Sequence, residues 1–308
     1  MAKWTMRAGW ILAMTFWGVT TVSAADVQTD AYTQSIEQWR HTRVAELTAP
    51  DGWLSLVGLA WLHPGVNTIG GAPDSDIVLP GAPAQLGAVT LDEHDGTLRL
   101  KLEAGTGALV DGKAQLDAAL VDDAHAGTGK PTLVSFGSTS FIAIHRGERE
   151  ALRVRDTNAP SRTGFLGIDY FPIDPGWRIE ADWIPATPGE TLEMGTVIGT
   201  VDKYPVPGKL RFSRDGRSFE ILPVIEVPGD KQYFVVFADR TSGKETYGAA
   251  RFVYIDPPQG GKAVIDFNRA YNPPCAFTAF ATCPLAPPEN RLDLRVTAGE
   301  KKYRGGPH

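Results

Sequence analysis

The 308-residue chain reads as mostly β, with two β-sandwich or barrel-like domains preceded by one amphipathic helix. Three observations predict this. Short runs rich in Val, Ile, Phe and Tyr recur along the chain, and they are separated by Asp-Gly, Pro-Gly, Ser-Gly and Gly-Gly steps at strand-like intervals. Thirty-three glycines and 23 prolines supply the turns such a fold needs. One stretch, Ala31 to Leu47, instead places Tyr32, Ile36, Trp39, Val44 and Leu47 at spacings near three and four, which predicts a helix lying on the first domain.

Residues 1–24 come first. Lys3 and Arg7 precede the apolar run Gly9 to Val19, and small residues follow, which predicts a secretory signal peptide cleaved after Ala24 or Ala25. The run is shorter than the roughly 20 residues a membrane span requires. No later stretch is long and apolar enough to span, so a periplasmic or secreted mature chain with no integral membrane segment is expected. Without the leader the chain has 28 basic and 36 acidic residues, a net charge of −8. That balance repels nucleic acid and anionic lipid, and no nucleic-acid partner is expected.

The helix occupies a segment, 25–50, that Asp51-Gly52 closes. The first β domain is expected over 51–146. It opens on a dense apolar run, Trp53 to Leu62, read as buried strand structure broken at Gly58. Beyond it, Ile69-Gly70, Asp76-Ile77 with Leu79, the turn Val110-Asp111-Gly112 before Leu116, and strands around Phe136 and Phe141 resemble the forkhead-associated domain, a β-sandwich that reads phosphothreonine through its loops. Two departures fall where that family binds. Gly71 stands where it has arginine, and no Ser-Arg-x-x-His block occurs between Leu79 and Leu91. The resemblance therefore implies the fold and not phosphopeptide binding. The string Gly107 to Ala114 mimics a phosphate loop but lacks the hydroxyl at Ala114 and a following helix, so a Val-Asp-Gly-Lys hairpin turn is predicted.

A junction, 147–190, carries Arg153, Arg155 and Arg162, expected to pair with carboxylates such as Asp156 and Asp169. The second domain, 191–308, reads as antiparallel strands: TLEMGTVIGTVD, GKLRFSR, RSFEILPVIE, QYFVVFAD, ETYGAARFVYI and KAVIDFN, with RLDLRVTAGEKKY as the last. Before that last strand comes Asp266 to Arg291, a loop stiffened by five prolines and holding both cysteines. Oxidising surroundings and an even count favour a Cys275–Cys283 disulfide. Zinc would find its tetrahedron half empty there, and a catalytic thiolate has no neighbouring histidine.

The strings ADRTSGKETYGAARFVY, NPPCAFT, TCPL and PPENRL are similar to the family called domain of unknown function 1684, as is GWLSLVGLAWLHPGVNTIG in the first half. The resemblance spans most of the mature chain and implies no chemistry.

No nucleophile elbow, zinc-protease string or nucleotide fingerprint occurs, and the histidines have no metal-spaced partners, so neither cofactor nor metal is expected. Two readings of the loop are open. In the first, Arg251, Asp266, Asn268, Tyr271, Asn272, Asn290 and Arg291 form a rigid rim for a small or carbohydrate-like ligand or a cell-envelope component, in a noncatalytic binding or scaffold module. In the second, Asp266, Glu289 and Tyr271 serve a metal-independent hydrolase or lyase. Taken one at a time, the same residues also suit a plug that satisfies buried backbone groups.

Overall fold

The computed structural model describes residues 24–127 and 129–306, with side chains from Thr29 onward. The expected leader falls outside the described residues except at Ala24, where helix α1 (Ala24–Thr48) begins. Among the described residues no helix is long and apolar enough to cross a membrane.

The fold is mostly β, as its sequence predicts. Two five-stranded sheets form the first sandwich. One runs in the order β1 (Leu56–Trp61), β10 (Arg149–Asp156), β9 (Thr139–Arg146), β8 (Val134–Phe136) and β6 (Leu109–Val110). The other runs β3 (Ile77–Val78), β2 (Gly65–Gly70), β4 (Gly87–Leu91), β5 (Leu98–Leu102) and β7 (Asp117–Leu120). Strand β5 shows why one face turns inward: Leu98, Leu100 and Leu102 are buried while Arg99 and Lys101 face water. Those leucines share one core with Val134, Phe136, Phe141 and Val154 of the opposite sheet. The sandwich extends through β10 to Asp156, because β9 and β10 form a hairpin with Arg146 opposite Arg149. Asp111 and Gly112 both adopt positive φ, and Val110 and Lys113 exchange two backbone hydrogen bonds of 2.9 Å, which is the predicted two-residue hairpin turn.

The C-terminal half holds a four-stranded sheet, β15 (Arg217–Ile221), β14 (Gly208–Arg214), β11 (Arg178–Pro185) and β18 (Lys262–Asp266), and two hairpins. These are β12 (Thr191–Gly195) with β13 (Val201–Pro205), and β16 (Tyr233–Phe237) with β17 (Arg251–Ile255). The stretch TLEMGTVIGTVD is thus two strands, not one, because the chain reverses at Thr196–Thr200. Strand β16 is buried on both faces from Phe234 to Phe237, which explains its unbroken apolar run, while on β17 Tyr254 stays exposed. Val235, Phe237, Val253 and Ile255 pack toward the four-stranded sheet. Phe234, Val236 and Phe252 pack toward Met194, Cys275 and Cys283.

Three expectations are corrected. The segment RLDLRVTAGEKKY is extended but joins no ladder. It makes isolated bridges at Arg291 and Glu300 and single backbone bonds, such as the Leu292 N–H to the Ala238 carbonyl at 2.8 Å, and between them side chains take over: Asp239 accepts from the Val296 N–H at 2.6 Å and Arg251 donates to the carbonyls of Val296 and Ala298. Helix α1 lies on the C-terminal β structure rather than the first domain. Tyr32 reaches Asp266, Arg40 reaches the Phe171 carbonyl at 3.0 Å, and Arg43 reaches Glu300 at 3.1 Å. The junction arginines find partners other than Asp156 and Asp169. Arg162 donates to the carbonyls of Thr48 and Thr157, both at 2.7 Å, and so satisfies an orphan carbonyl at the end of α1. Arg153 approaches Asp123 at 3.9 Å and Thr282 at 3.4 Å, while Asp169 pairs with Arg304. Arg146 also donates to Thr282, at 3.1 Å, so the two β units touch through the cysteine-bearing loop.

Candidate functional site

The loop from Asp266 to Arg291 does not gather its polar residues at one opening. Strand β18 ends at Asp266, whose carboxylate caps the following 3-10 turn, Phe267–Arg269, by accepting the Asn268 N–H at 3.1 Å. Asn268 is fully buried. Its amide donates to the Asp174 carbonyl at 2.8 Å and its oxygen accepts the Asp174 N–H at 3.1 Å. Asn290 is fully buried too, accepting from Leu222 N–H at 2.8 Å and donating to the Leu222 and Val236 carbonyls at 2.9 and 3.0 Å. Asn272 donates through its side chain to the Lys301 carbonyl at 2.7 Å. These three asparagines replace ladder bonds where the chain is too irregular to make them. They act as the plug.

Arg251 is likewise internal, at 1% exposure, with Asp239 at 3.4 Å and the Phe237 ring at 5.1 Å. It pairs with Asp239 and not with Asp266. Burial lowers its pKa and the Asp239 charge opposes that shift. Tyr271 lies under the Arg43 guanidinium, 4.6 Å from its ring centre, and burial raises its pKa. Glu289 and Arg291 are exposed near the short turn Pro288–Asn290, and Arg291 lines a separate recess of about 330 Å³ with Leu285 and Asp239. Asp266 lines a second, larger recess, while Glu289 and Tyr271 line neither.

A buried charge cluster that sequence reasoning missed joins α1 to the sheet. Glu300 is fully buried. It accepts from Arg43 at 3.1 Å and from the Asn272 N–H at 2.8 Å, while Arg43 also donates to the Asn272 carbonyl at 2.8 Å. Burial raises the Glu300 pKa, and the Arg43 charge works against that rise. Gly299 permits the approach. With φ +77°, it lies where a Cβ would stand 2.3 Å from the Ala270 carbonyl oxygen.

Of the expected set, Asp266 alone lines the large opening, a cleft of about 1110 Å³. Its origin is a split hairpin. Strands β17 and β18 are consecutive, and antiparallel bridges join Gln259 to Lys262 at the turn and Phe252 to Tyr271 past the end of β18. Between those bridges the two strands belong to different sheets, and Tyr254, Ile255 and Val264 border the gap. The parity set by the bridges turns the backbone N–H and C=O of Tyr254 and Val264 toward that gap. The first turns of α1 form another wall. There the Tyr32 hydroxyl donates to the Asp266 carboxylate, at 2.8 and 3.0 Å from its two oxygens, and accepts from the Asn268 amide at 2.9 Å. Burial and the Asp266 charge together raise the Tyr32 pKa, so the phenol stays a donor. Arg178, Glu180, Gln232, Asp256, Gln259, Lys262 and Arg269 add charged and amide groups to the lining, with the hydroxyls of Thr29 and Ser35.

The cysteines are close. Cys275 donates its N–H to Cys283 Sγ at 3.3 Å, and both sit among apolar side chains. The thiol contact between them pulls Cys275 down in pKa and pushes Cys283 up. Among the described residues no group of three or more His, Cys, Asp or Glu side chains is placed to hold a metal ion.

Comparison with known proteins adds a family and no activity. A search of curated proteins gives no match. The chain is similar to an uncharacterized protein of Haloarcula marismortui solved by solution NMR, with 31% identity over 46% of this chain and 78% of that one, and a TM-score of 0.39. The match takes in the four-stranded sheet, both hairpins, the plug and the cleft walls on β11, β17 and β18, while the α1 wall of the cleft and the first sandwich lie outside it. Residues 163–301 are a domain of the family described as Protein of unknown function (DUF1684).

Proposed function

We propose that this chain is an extracytoplasmic binding module whose C-terminal domain holds a small polar or carbohydrate-like molecule in the cleft between α1, β11, β17 and β18. One observation carries the reading. A recess of about 1110 Å³ is walled by Tyr32 and Tyr254, by the amides of Gln232 and Gln259, and by charged groups of both signs. Aromatic surface beside a few fixed polar groups suits a small ligand. The site differs from the rim expected from sequence, since Arg251, Asn268, Asn272 and Asn290 hold the wall up from inside. The first sandwich serves in this reading as a scaffold of forkhead-associated type that has lost its phosphopeptide-reading groups.

A thermal-shift screen of the protein against neutral sugars, sugar acids and amino acids tests the proposal. At least one compound is expected to raise the melting temperature, and Tyr254→Ala to abolish that rise. A panel without a stabilising compound, or a hit indifferent to Tyr254→Ala, removes the cleft as the site.

The same reading has the chain exported, its leader removed after Ala24 or Ala25, and Cys275 joined to Cys283. The intact mass of protein taken from its own cells should then lack the leader and two thiol hydrogens, the latter returning on reduction. An unprocessed chain with free thiols would contradict both points.

A further inference from the structure

We infer that the cleft binds an anion, a carboxylate-bearing small molecule gripped by Arg178 and Arg269. This rests on the ligand-binding reading above and names the ligand's chemistry.

The charges of the cleft fall into two groups. At one end Lys262 is neutralised, its Nζ held by Asp182 at 2.6 Å with Glu180 nearby. At the other end the β11–β18 ladder sets Arg178 directly opposite Asp266, and Arg269 follows at the end of the 3-10 turn. Two guanidinium groups there face one carboxylate. That carboxylate is already committed, since both its oxygens accept from Tyr32 and one also accepts from the Asn268 backbone. Arg269 comes no nearer to it than 3.8 Å. Among the described residues the Arg178 side chain has no hydrogen-bond or ion-pair partner. Asp256, the remaining acid of the lining, accepts from Gln232 at 2.9 Å.

This end of the recess therefore carries an excess positive charge on a chain whose net charge is −6. It also offers two planar forks, each with five N–H donors, whose geometry matches a carboxylate through paired hydrogen bonds. A neutral ligand would leave most of those donors to water. A cation would meet repulsion from the arginines and find the Asp266 oxygens occupied. The Tyr32 hydroxyl is fixed between Asp266 and Asn268, so it orients the wall, and Asp266 keeps only a long 3.8 Å ion pair with Arg269.

Titration calorimetry on the full mature protein separates the outcomes, with D-galacturonate, D-galactose and inorganic phosphate as probes. Galacturonate is expected to bind and galactose to bind at least about tenfold more weakly, the scale of a lost charge-assisted contact. Arg178→Ala and Arg269→Ala should each weaken galacturonate by a similar factor while the melting temperature of the free protein stays unchanged. Added salt should weaken it further. Phosphate binding alone, abolished by the same variants, would still support an anion site and would reassign it from carboxylate to phosphate. Equal binding of galactose and galacturonate overturns the anion inference and leaves the ligand-binding reading standing. Galacturonate binding untouched by both variants overturns the assignment to these arginines. If none of the three probes binds, the inference falls, and the broader screen decides separately whether the cleft takes any small molecule.

Discussion

Replacing Arg43 by methionine is expected to destabilise the fold by about 3–5 kcal/mol, the range for stripping one partner from a buried ion pair. Methionine keeps most of the volume and removes the charge. Glu300, fully buried, would then retain only the Asn272 N–H, and the Asn272 carbonyl would lose its donor. The effect has a defined pH dependence. Burial raises the Glu300 pKa above its ordinary value of 4.5, so between that value and the raised one the folded state holds more protons than the unfolded chain. Stability tied to this group is therefore greatest below pH 4.5 and falls as pH rises through the window. Removing the Arg43 charge, which opposes the shift, widens the window. The deficit of Arg43→Met should thus shrink on acidification, and Glu300→Gln should restore a large part of it at neutral pH. Urea unfolding of the single and double variants at two pH values measures this. A deficit below about 1 kcal/mol, the scale of exposed pairs, would show that the pair does not anchor α1.

Asn290→Ala should cost about 2–5 kcal/mol, because it strands three backbone groups at once: the Leu222 N–H, the Leu222 carbonyl and the Val236 carbonyl. Asn290→Asp should not rescue it. An aspartate can still accept from Leu222, but it presents an oxygen where the two carbonyls need a donor. Any ligand of the cleft should bind the surviving folded fraction with unchanged affinity, since Asn290 lines no part of that recess. A stable Asn290→Ala protein, or one that loses the ligand while keeping its fold, would contradict the assignment of this residue to the plug.

Both predictions concern residues whose roles the sequence reading placed differently or left out. Helix α1 was legible from Tyr32, Ile36 and Leu47 at helical spacing, yet its buried stripe is completed by Arg43 and partly by Arg40, which a search for apolar periodicity discards. A basic residue in register with that stripe was the available signal. The polar residues of the proline-rich loop were correctly singled out as unusual for a turn. Their direction could not be read, because an irregular backbone has no fixed period from which to infer a face. The single strand expected over TLEMGTVIGTVD, and the ladder expected over RLDLRVTAGEKKY, failed for a related reason. Alternating apolar residues report burial of one face, and they do not say whether the backbone groups form a continuous ladder or are divided between isolated bridges and side chains such as Asp239 and Arg251.

By itself the sequence determined the β class, the long N-terminal helix, the Val110–Lys113 turn and the strands within QYFVVFAD and ETYGAARFVYI, because each follows from residue periodicity or turn chemistry within a few positions. Only the tertiary structure decided where α1 docks, that the asparagines face inward, and that β17 and β18 part to leave a cleft beside Arg178 and Arg269. Those outcomes depend on contacts such as Tyr32 with Asp266 and Arg43 with Glu300, whose partners lie 234 and 257 residues apart, and no local pattern encodes a pairing over that distance.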